Sequence, residues 1–394
     1  MELLIPADIR FPLERASGVQ IVKTASALAR AGARVTLVVR ASDPRPTPEI
    51  LALYGLPPHE RLSVRRLAVG HRQGSFAFPR ALFLAQTLSL SLGALARGAF
   101  VYTRDLQLAD ALLGLRRRAR VGYEAHAVEA VLYRERGTIY GTGETPSEAK
   151  ARRLARREGR VWKRAACFVA TTAGIRDAFA ESYGARPRVH VVPNGCDLPA
   201  DGRFPGLADA KPPRVLYAGQ LYPWKGVDVL VEAMRAVPEA RLVILGGLRG
   251  EADFARVQAA VERAGLAART ELPGTRPQVE VQDELRKASV VVAPFLRTAM
   301  TERHTSPIKA FEAMAAGRPI VASDLPSSRE ILRDGETALL TPPGDARALA
   351  AAIRGLVLDT ARAERLARAA FEAAAAFSWD ARAGRLLRAF REVA

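Results

Sequence analysis

One feature constrains this chain more than any other. Short apolar runs alternate with longer segments of helical period from one end to the other. The runs Glu2–Pro6, Arg34–Arg40, Ala99–Thr103, Arg120–Tyr123, Cys167–Thr171 and Arg188–Val192 read as strands. After a polar break the pattern resumes at Arg214–Ala218, Arg241–Leu245, Ser289–Ala293 and Pro319–Ala322. Helical periods fill the gaps, among them Val19–Ala31, Leu106–Leu115, Ser147–Arg164, Val227–Ala236 and Phe254–Ala264. Apolar strands separated by helices predict parallel sheets covered by helices on both faces, an α/β fold. At 394 residues the chain exceeds what one core holds, roughly 250–300 residues, so two such units are expected. The stretch Asp197–Pro213 (DLPADGRFPGLADAKPP) is the expected linker, dividing a first domain, 1–197, from a second, 198–377. A further amphipathic helix, Asp380–Arg391, lies in the segment 378–394.

Bulk properties exclude several classes. The net charge of +18 invites a nucleic-acid or anionic-membrane partner, but most of the excess is arginine scattered through alanine-rich helices. No recognised nucleic-acid module or interleaved aromatic platform accompanies it, so nucleic acid is not expected. Cys167 and Cys196 suit a reducing compartment and cannot make a zinc site, and the five histidines lack ligand spacing, so no metal is expected. The opening MELLIPADIRF does not read as a signal peptide. The longest apolar stretch, Ala81–Ala96, is interrupted by Gln86, Thr87, Ser89 and Ser91 and is too short to span a bilayer. A cytoplasmic protein is expected.

Residues Arg303–Gly317 carry the most unusual chemistry. Ser306 reads as an N-cap, Pro307 as the first helical residue, and Gly317 as the C-terminal stop. Ile308, Phe311 and Ala315 form the apolar stripe. Lys309 falls in the first turn, where the helix dipole disfavours a cation. Glu312 lies at the edge of the buried stripe, where an unpaired carboxylate is expensive. Two readings account for this: an i,i+3 Lys–Glu pair on a core helix, or a lysine for a phosphate and a carboxylate for ligand hydroxyls.

Ligands of open α/β sheets bind beyond the carboxyl ends of the strands, which collects further candidates. The loop Gly219–Gly226 offers close backbone approach at Gly219 and a point charge at Lys225, or else is a tight turn with a solvated lysine. Gly246 and Gly247 follow the next strand. In Glu124-Ala125-His126-Ala127-Val128-Glu129, a histidine sits between acids past a strand end, suited to face a sugar or acceptor hydroxyl if it is not simply hydrogen-bonded into the core. Arg104 and Asp105, at another strand end, are candidate acceptor contacts, as is Glu124. Gly18, in Ala16-Ser17-Gly18, either cradles a phosphate or makes a turn. The basic helix Lys150–Arg164 (KARRLARREGRVWKR) either presents a solvated face or anchors on a membrane surface through Leu154, Val161 and Trp162.

Four stretches together resemble the family 4 glycosyltransferases, retaining enzymes of GT-B fold. They are AGQLYPWKGVDVL (Ala218–Leu230), PNGCD (Pro193–Asp197), SPIKAFEAMAAGRPIVASDLPSSREIL (Ser306–Leu332) and FSWDARAGRLLRAF (Phe377–Phe390). The resemblance implies two Rossmann-like domains facing a central cleft, an acceptor-binding first domain, a donor-binding second domain, and a last helix crossing back to the first. It implies transfer of a sugar from a nucleotide-diphosphate sugar to a hydroxyl acceptor, without metal or cofactor, in cell-surface glycan or glycolipid assembly. Lys225 matches the lysine on the donor diphosphate, and Glu312 the second acid of the E-x7-E motif, on the ribose. Thr305, Ser306 and Ile308 match backbone donors to the phosphates, His126 the histidine near the transferred sugar, Gly246 and Gly247 the loop near the nucleoside, and Arg276 a base-side contact. His304 stands where the family has its first glutamate, with Glu302 two residues away; Gln220 replaces an arginine, and Pro307 a glycine. Lys309 is expected to restore the charge lost at Gln220. The expected acceptor is a glycan, lipid or small molecule, with a peripheral position at the inner membrane face as one possibility. The competing readings are a nucleotide-sugar epimerase of the same fold and a catalytically weakened nucleotide-binding partner protein.

Overall fold

The computed structural model describes residues 1–13, 16–68 and 78–393. They form two compact units: Met1–Arg134 with Pro146–Pro193 and Trp379–Ala394, and Glu135–Thr145 with Asn194–Ser378.

The first unit is built on seven strands: β1 (Glu2–Phe11), β2 (Arg34–Ala41), β3 (Leu62–Leu67), β4 (Phe100–Thr103), β5 (Val121–Ala125), β6 (Cys167–Ala170) and β7 (His190–Val191). All pairs are parallel, in the order β3-β2-β1-β4-β5-β6-β7. The register sets Leu3 beside Arg34's neighbour Val35 on one side and Phe100 on the other. The second unit repeats the plan with β8 (Arg214–Ala218), β9 (Arg241–Leu245), β10 (Thr270–Gly274), β11 (Val290–Ala293), β12 (Ile320–Ser323) and β13 (Leu339–Thr341), ordered β10-β9-β8-β11-β12-β13. Each sheet starts in its middle, winds outward, then reverses, at β1/β4 and at β8/β11. That is the doubly wound arrangement, whose ligand crevice lies at the reversal.

Three strands escape the periodicity argument, β3, β10 and β13, and all of them border their sheets. An edge strand has one neighbour and need not be apolar throughout: β3 (LSVRRL) is polar at alternate positions, β10 (TELPG) holds a proline, and β13 has three residues. The helix Leu106–Leu115 begins and ends where its sequence predicts, because Asp105 accepts a hydrogen bond from Leu108 N as N-cap.

Buried aromatic rings centre the first core. Trp162 lies 4.7 Å from Phe168 and 5.4 Å from Phe179, edge-on and stacked respectively. The last helix, Trp379–Arg391, belongs to this unit: it packs on the first helix (Ala16–Arg30), and Phe390 stacks on Phe100 at 4.7 Å. In the second unit one sheet face packs Leu230, Met234, Val257 and Ile353, the other Leu285, Phe311, Met314 and Ala370. The stretch 197–213 is folded into that unit, with Phe204 against Phe371. Among the described residues no helix is long and apolar enough to cross a membrane.

Candidate functional site

In the second unit the loops after β8, β9 and β10 are laced together at the strand ends. Gly219 N donates to Leu245 O, Gly246 N to Gly274 O, and Thr275 N to Gly247 O. Two glycines are obligatory here. A Cβ on Gly246 (φ +128°) would lie 1.8 Å from Gly219 O, and one on Gly226 (φ +69°) 1.8 Å from Pro294 O. The second contact joins the loops after β8 and β11, which flank the reversal point.

Lys225 sits on this loop, in a short 3-10 turn formed by Pro223–Lys225. Its Nζ lies 4.1 Å from the Trp224 ring centroid and 4.4 Å from that of Phe295. Among the described residues no carboxylate pairs with it, and desolvation pushes its pKa down to about 7. Trp224 Nε1, Asn194 Oδ1 and both ring nitrogens of His304 are buried without a hydrogen-bond partner in the same unit. His304 is 6% exposed, and burial, then the neighbouring Arg303, push its pKa down to about 4. It is a neutral imidazole with one donor and one acceptor unspent.

The helix expected around Glu312 runs Ile308–Ala315. Its C-terminus is a Schellman stop, with Gly317 N on Met314 O and Arg318 N on Ala313 O, as the sequence predicts. Its start differs. Pro307 is the N-cap, in extended conformation and with no side-chain cap, while Ser306 Oγ accepts from Asn194 N at 3.0 Å. Ser306 therefore ties down the PNGCD segment instead of capping, and the first-turn amides of Ile308 and Lys309 have no side-chain cap.

Lys309 is a second correction. Its Nζ donates to Glu312 Oε2 at 2.7 Å and Gln278 Oε1 at 3.1 Å, the i,i+3 pair instead of a free phosphate ligand. The cause is Glu312, 3% exposed, whose carboxylate requires partners. Gln278 Nε2 supplies the other at 2.5 Å, on Oε1. Each oxygen of Glu312 thus has acceptor capacity left for a hydroxyl. Gln278 is a site neighbour that sequence reasoning missed, since nothing marks a lone glutamine. Gln220 is partly buried, and its carbonyl accepts from Tyr217 OH. Thr305 is buried, its hydroxyl donating to Met300 O at 2.8 Å. Arg276 is exposed, 3.9 Å from Glu280.

The first unit gathers a buried polar network at the end of β5. Glu124, 2% exposed, has both oxygens occupied. Gln20 Nε2 donates to Oε1 at 2.6 Å and His126 Nε2 meets the same oxygen at 2.7 Å, while Tyr102 OH and Arg382 Nη2 donate to Oε2. Burial alone would raise the Glu124 pKa, but Arg382, then His126 and Gln20, outweigh it and hold it below the carboxylate norm. Burial, with Arg104 and Arg382 behind it, lowers the His126 pKa against the pull of Glu124. The ring is neutral, and an ionised Glu124 can only accept, so the proton is assigned to Nε2 and Nδ1 is left as acceptor. The expected direct role of Glu124 with acceptor is corrected accordingly: its carboxylate serves His126. Arg104 Nη1 donates to Gln20 Oε1 at 3.2 Å, and burial lowers its pKa to about 10. Asp105 is likewise spent, on the N-cap described above. Arg104 and Asp105 border a cavity of about 270 Å³ that also meets Asp8, Arg80, Glu129 and Arg157. Gly18 lies in the first turn of helix Ala16–Arg30, not in a loop, and a Cβ there would strike Leu13 O.

Val161 and Trp162 of the basic helix are core residues, and Trp162 Nε1 donates to Gly184 O. Of the two readings of this helix, the solvated basic face fits: Val161 and Trp162 are turned inward and offer no apolar anchor. What the helix exposes is Arg152, Arg153, Arg156, Arg160 and Lys163, with Arg116, Arg117 and Arg118 exposed after the neighbouring helix. Among the described residues no cluster of three His, Cys, Asp or Glu side chains is arranged to hold a metal ion.

Comparison with known proteins matches two stretches of the chain. Residues 212–359 match the family described as glycosyl transferases group 1, and residues 16–195 a glycosyl transferase 4-like domain. A phosphatidyl-myo-inositol mannosyltransferase from Mycobacterium leprae is 34% identical over 212 residues, covering 52% of this chain and 53% of that protein. The chain spans about half the length of such curated relatives. Sucrose-phosphate synthase from Thermosynechococcus elongatus superposes with a TM-score of 0.75 at 23% identity, covering 99% of this chain and 98% of that one. Anabaena HepE, solved with UDP and glucose, superposes with a TM-score of 0.71 at 18% identity, covering 98% of each. At those identities the likeness establishes the fold, the two-domain α/β arrangement called GT-B.

Proposed function

The chain belongs to the group 1 glycosyl transferases, and on that premise we propose that it moves a sugar from a nucleoside-diphosphate sugar to a hydroxyl acceptor. One observation carries the reading: the second unit holds, on loops and a helix beyond its strands, an ammonium at Lys225 that no carboxylate among the described residues pairs, and a carboxylate with unspent acceptor capacity at Glu312. A diphosphate and a pair of ribose hydroxyls complete those two groups. Departure of the nucleoside diphosphate builds negative charge, and we assign its stabilisation to Lys225 and the uncapped amides of Ile308 and Lys309, with no metal required. His304 faces the sugar as a neutral donor and acceptor, and Gly219, Gly246 and Gly247 let the backbone approach the nucleotide. Arg276, exposed nearby in sequence, is assigned to the base side.

The acceptor is assigned to the first unit, with its hydroxyl on His126 Nδ1 and Arg104 beside it. Retention of configuration follows the family resemblance. A glycan or lipid acceptor at an anionic membrane face agrees with the exposed arginines of the basic helix and with the inositol lipid in the relative's name. That docking is electrostatic, because the helix spends its apolar face on the core.

The test is Lys225→Ala. Loss of one preorganised charge should lower sugar transfer by about 10²–10³-fold, measured with a panel of nucleotide sugars. Transfer at the wild-type rate would remove Lys225 from the diphosphate and the reading with it.

A further inference from the structure

The last helix brings one more group to the acceptor side. Arg382 is completely buried, and its guanidinium is committed in four directions. Nε donates to Thr24 Oγ1 at 3.2 Å, Nη1 to the carbonyls of Val192 and Pro193, both at 2.6 Å, and Nη2 to Glu124 Oε2 at 2.7 Å. A guanidinium in a core is poor value as a stabiliser, since a well-packed apolar side chain usually does as well. Its partner explains its presence. Glu124 is equally buried, and of the groups that carboxylate touches, His126 is the one whose side chain keeps substantial exposure, at 33%.

We propose that Arg382 is a positioning residue for His126: it holds the place and the ionisation of Glu124, which fixes the ring tautomer and leaves Nδ1 open to the acceptor hydroxyl. The proposal rests on the acceptor-side reading above and adds to it a residue 256 positions along the chain. The physical chain is short. With Arg382 present, the Glu124–His126 pair carries its negative charge at neutral pH, because the guanidinium cancels it. Without Arg382, a buried pair of net charge −1 takes up a proton more readily, wherever on the pair that proton resides. Either outcome costs function: a protonated ring cannot accept from the acceptor, and a protonated Glu124 no longer dictates which ring nitrogen is the donor. The charged and titratable groups that act on the pair are Arg104 and Tyr102 at β4 and Arg382 on the last helix, with Arg385 next to Arg382. Among the described residues, Arg382 is the one lysine or arginine bonded to the carboxylate.

The experiment compares Arg382→Met, Arg382→Lys and His126→Ala in the full chain, after melting curves establish that each is folded. Arg382→Met should lose transfer by about 10²-fold. Its acid limb should move up by about one pH unit or more, because the pair protonates sooner. Arg382→Lys keeps the charge and should keep the limb in place, with a smaller loss. Nucleoside-diphosphate affinity should be unchanged in both. If Arg382→Met transfers at the wild-type rate with an unmoved limb while His126→Ala is impaired, the role of Arg382 is overturned and the acceptor reading stands. If His126→Ala transfers normally, the acceptor reading itself falls. Should Arg382→Met not fold, the wild-type ring decides by nitrogen-15 NMR. A neutral Nε2–H tautomer persisting below the ordinary histidine pKa is expected; an imidazolium at that pH, or an Nδ1–H tautomer, overturns the proposal.

Discussion

An ammonium held against two aromatic rings, with no carboxylate among the described residues paired to it, weakens the empty protein. The folded pKa of Lys225, about 7, lies below the usual lysine value of 10.5, so between those limits the folded chain binds fewer protons than the unfolded one. The penalty is therefore whole below pH 7 and fades as pH rises toward 10.5. On the proposed reading, a diphosphate reverses the shift by supplying the missing charge. Binding a nucleoside diphosphate at pH 8 should accordingly take up between about half a proton and one proton, and Lys225→Met should abolish the uptake. Calorimetry in two buffers of different ionisation enthalpy measures this; equal uptake in both chains would separate Lys225 from the phosphates. His304 makes a different claim. With both nitrogens unspent and a pKa near 4, it stays neutral through the physiological range, so its effect on binding should not depend on pH there. His304→Phe should weaken nucleotide-sugar binding about tenfold, the value of a hydrogen bond or two, while leaving nucleoside diphosphate unaffected. Equal losses for both ligands would move His304 from the sugar to the nucleotide. Lys225 stands out in the sequence because it follows a glycine loop at a strand end, and His304 only through the resemblance, which expects a glutamate there. Lys309 could not be assigned that way: Gln278, which helps to hold it, lies 31 residues away and carries no mark of its own.

At the scale of elements, two of the helices placed from the sequence, Leu106–Leu115 and Glu148–Arg164, start where a side-chain cap at Asp105 or Ser147 puts them, and the helix Ile308–Ala315 shows what happens without one. Ser306 had the residue type of a cap, but Asn194 claimed it from 112 residues away. Edge strands were the other blind spot, because half their surroundings are solvent or loop and the apolar signal thins out. The glycine contacts between the loops after β8 and β9 give an element-scale prediction. Gly246→Ala must push Gly219 O aside and should destabilise the chain by about 2–4 kcal/mol in denaturant unfolding. Gly250→Ala is the control, since it also has positive φ (+93°) but meets nothing within 4 Å. If the two variants unfold alike, backbone conformation accounts for the cost and the close approach of the loops does not.

For the molecule as a whole, the repeated alternation of strand and helix made the two doubly wound sheets legible, because parallel strands must be apolar on both faces. The Arg382–Glu124 bond was not legible, because a pair separated by 258 residues leaves no trace in local pattern. Division of labour between the units predicts where a ligand registers. On adding UDP, protection from hydrogen exchange should concentrate in the loops after β8, β9 and β11; protection centred on the end of β5 would reverse the assignment of donor and acceptor. The first unit is also assembled from three separated pieces of chain, the last of them Trp379–Ala394, whereas the second is complete by Ser378. During synthesis, then, the unit begun first is finished last. Every residue of the second unit is made while Glu124 still lacks its guanidinium and the first helix its covering neighbour. The growing polypeptide therefore passes through a stage at which one doubly wound sheet has all its residues and the other still lacks the cation for its buried carboxylate.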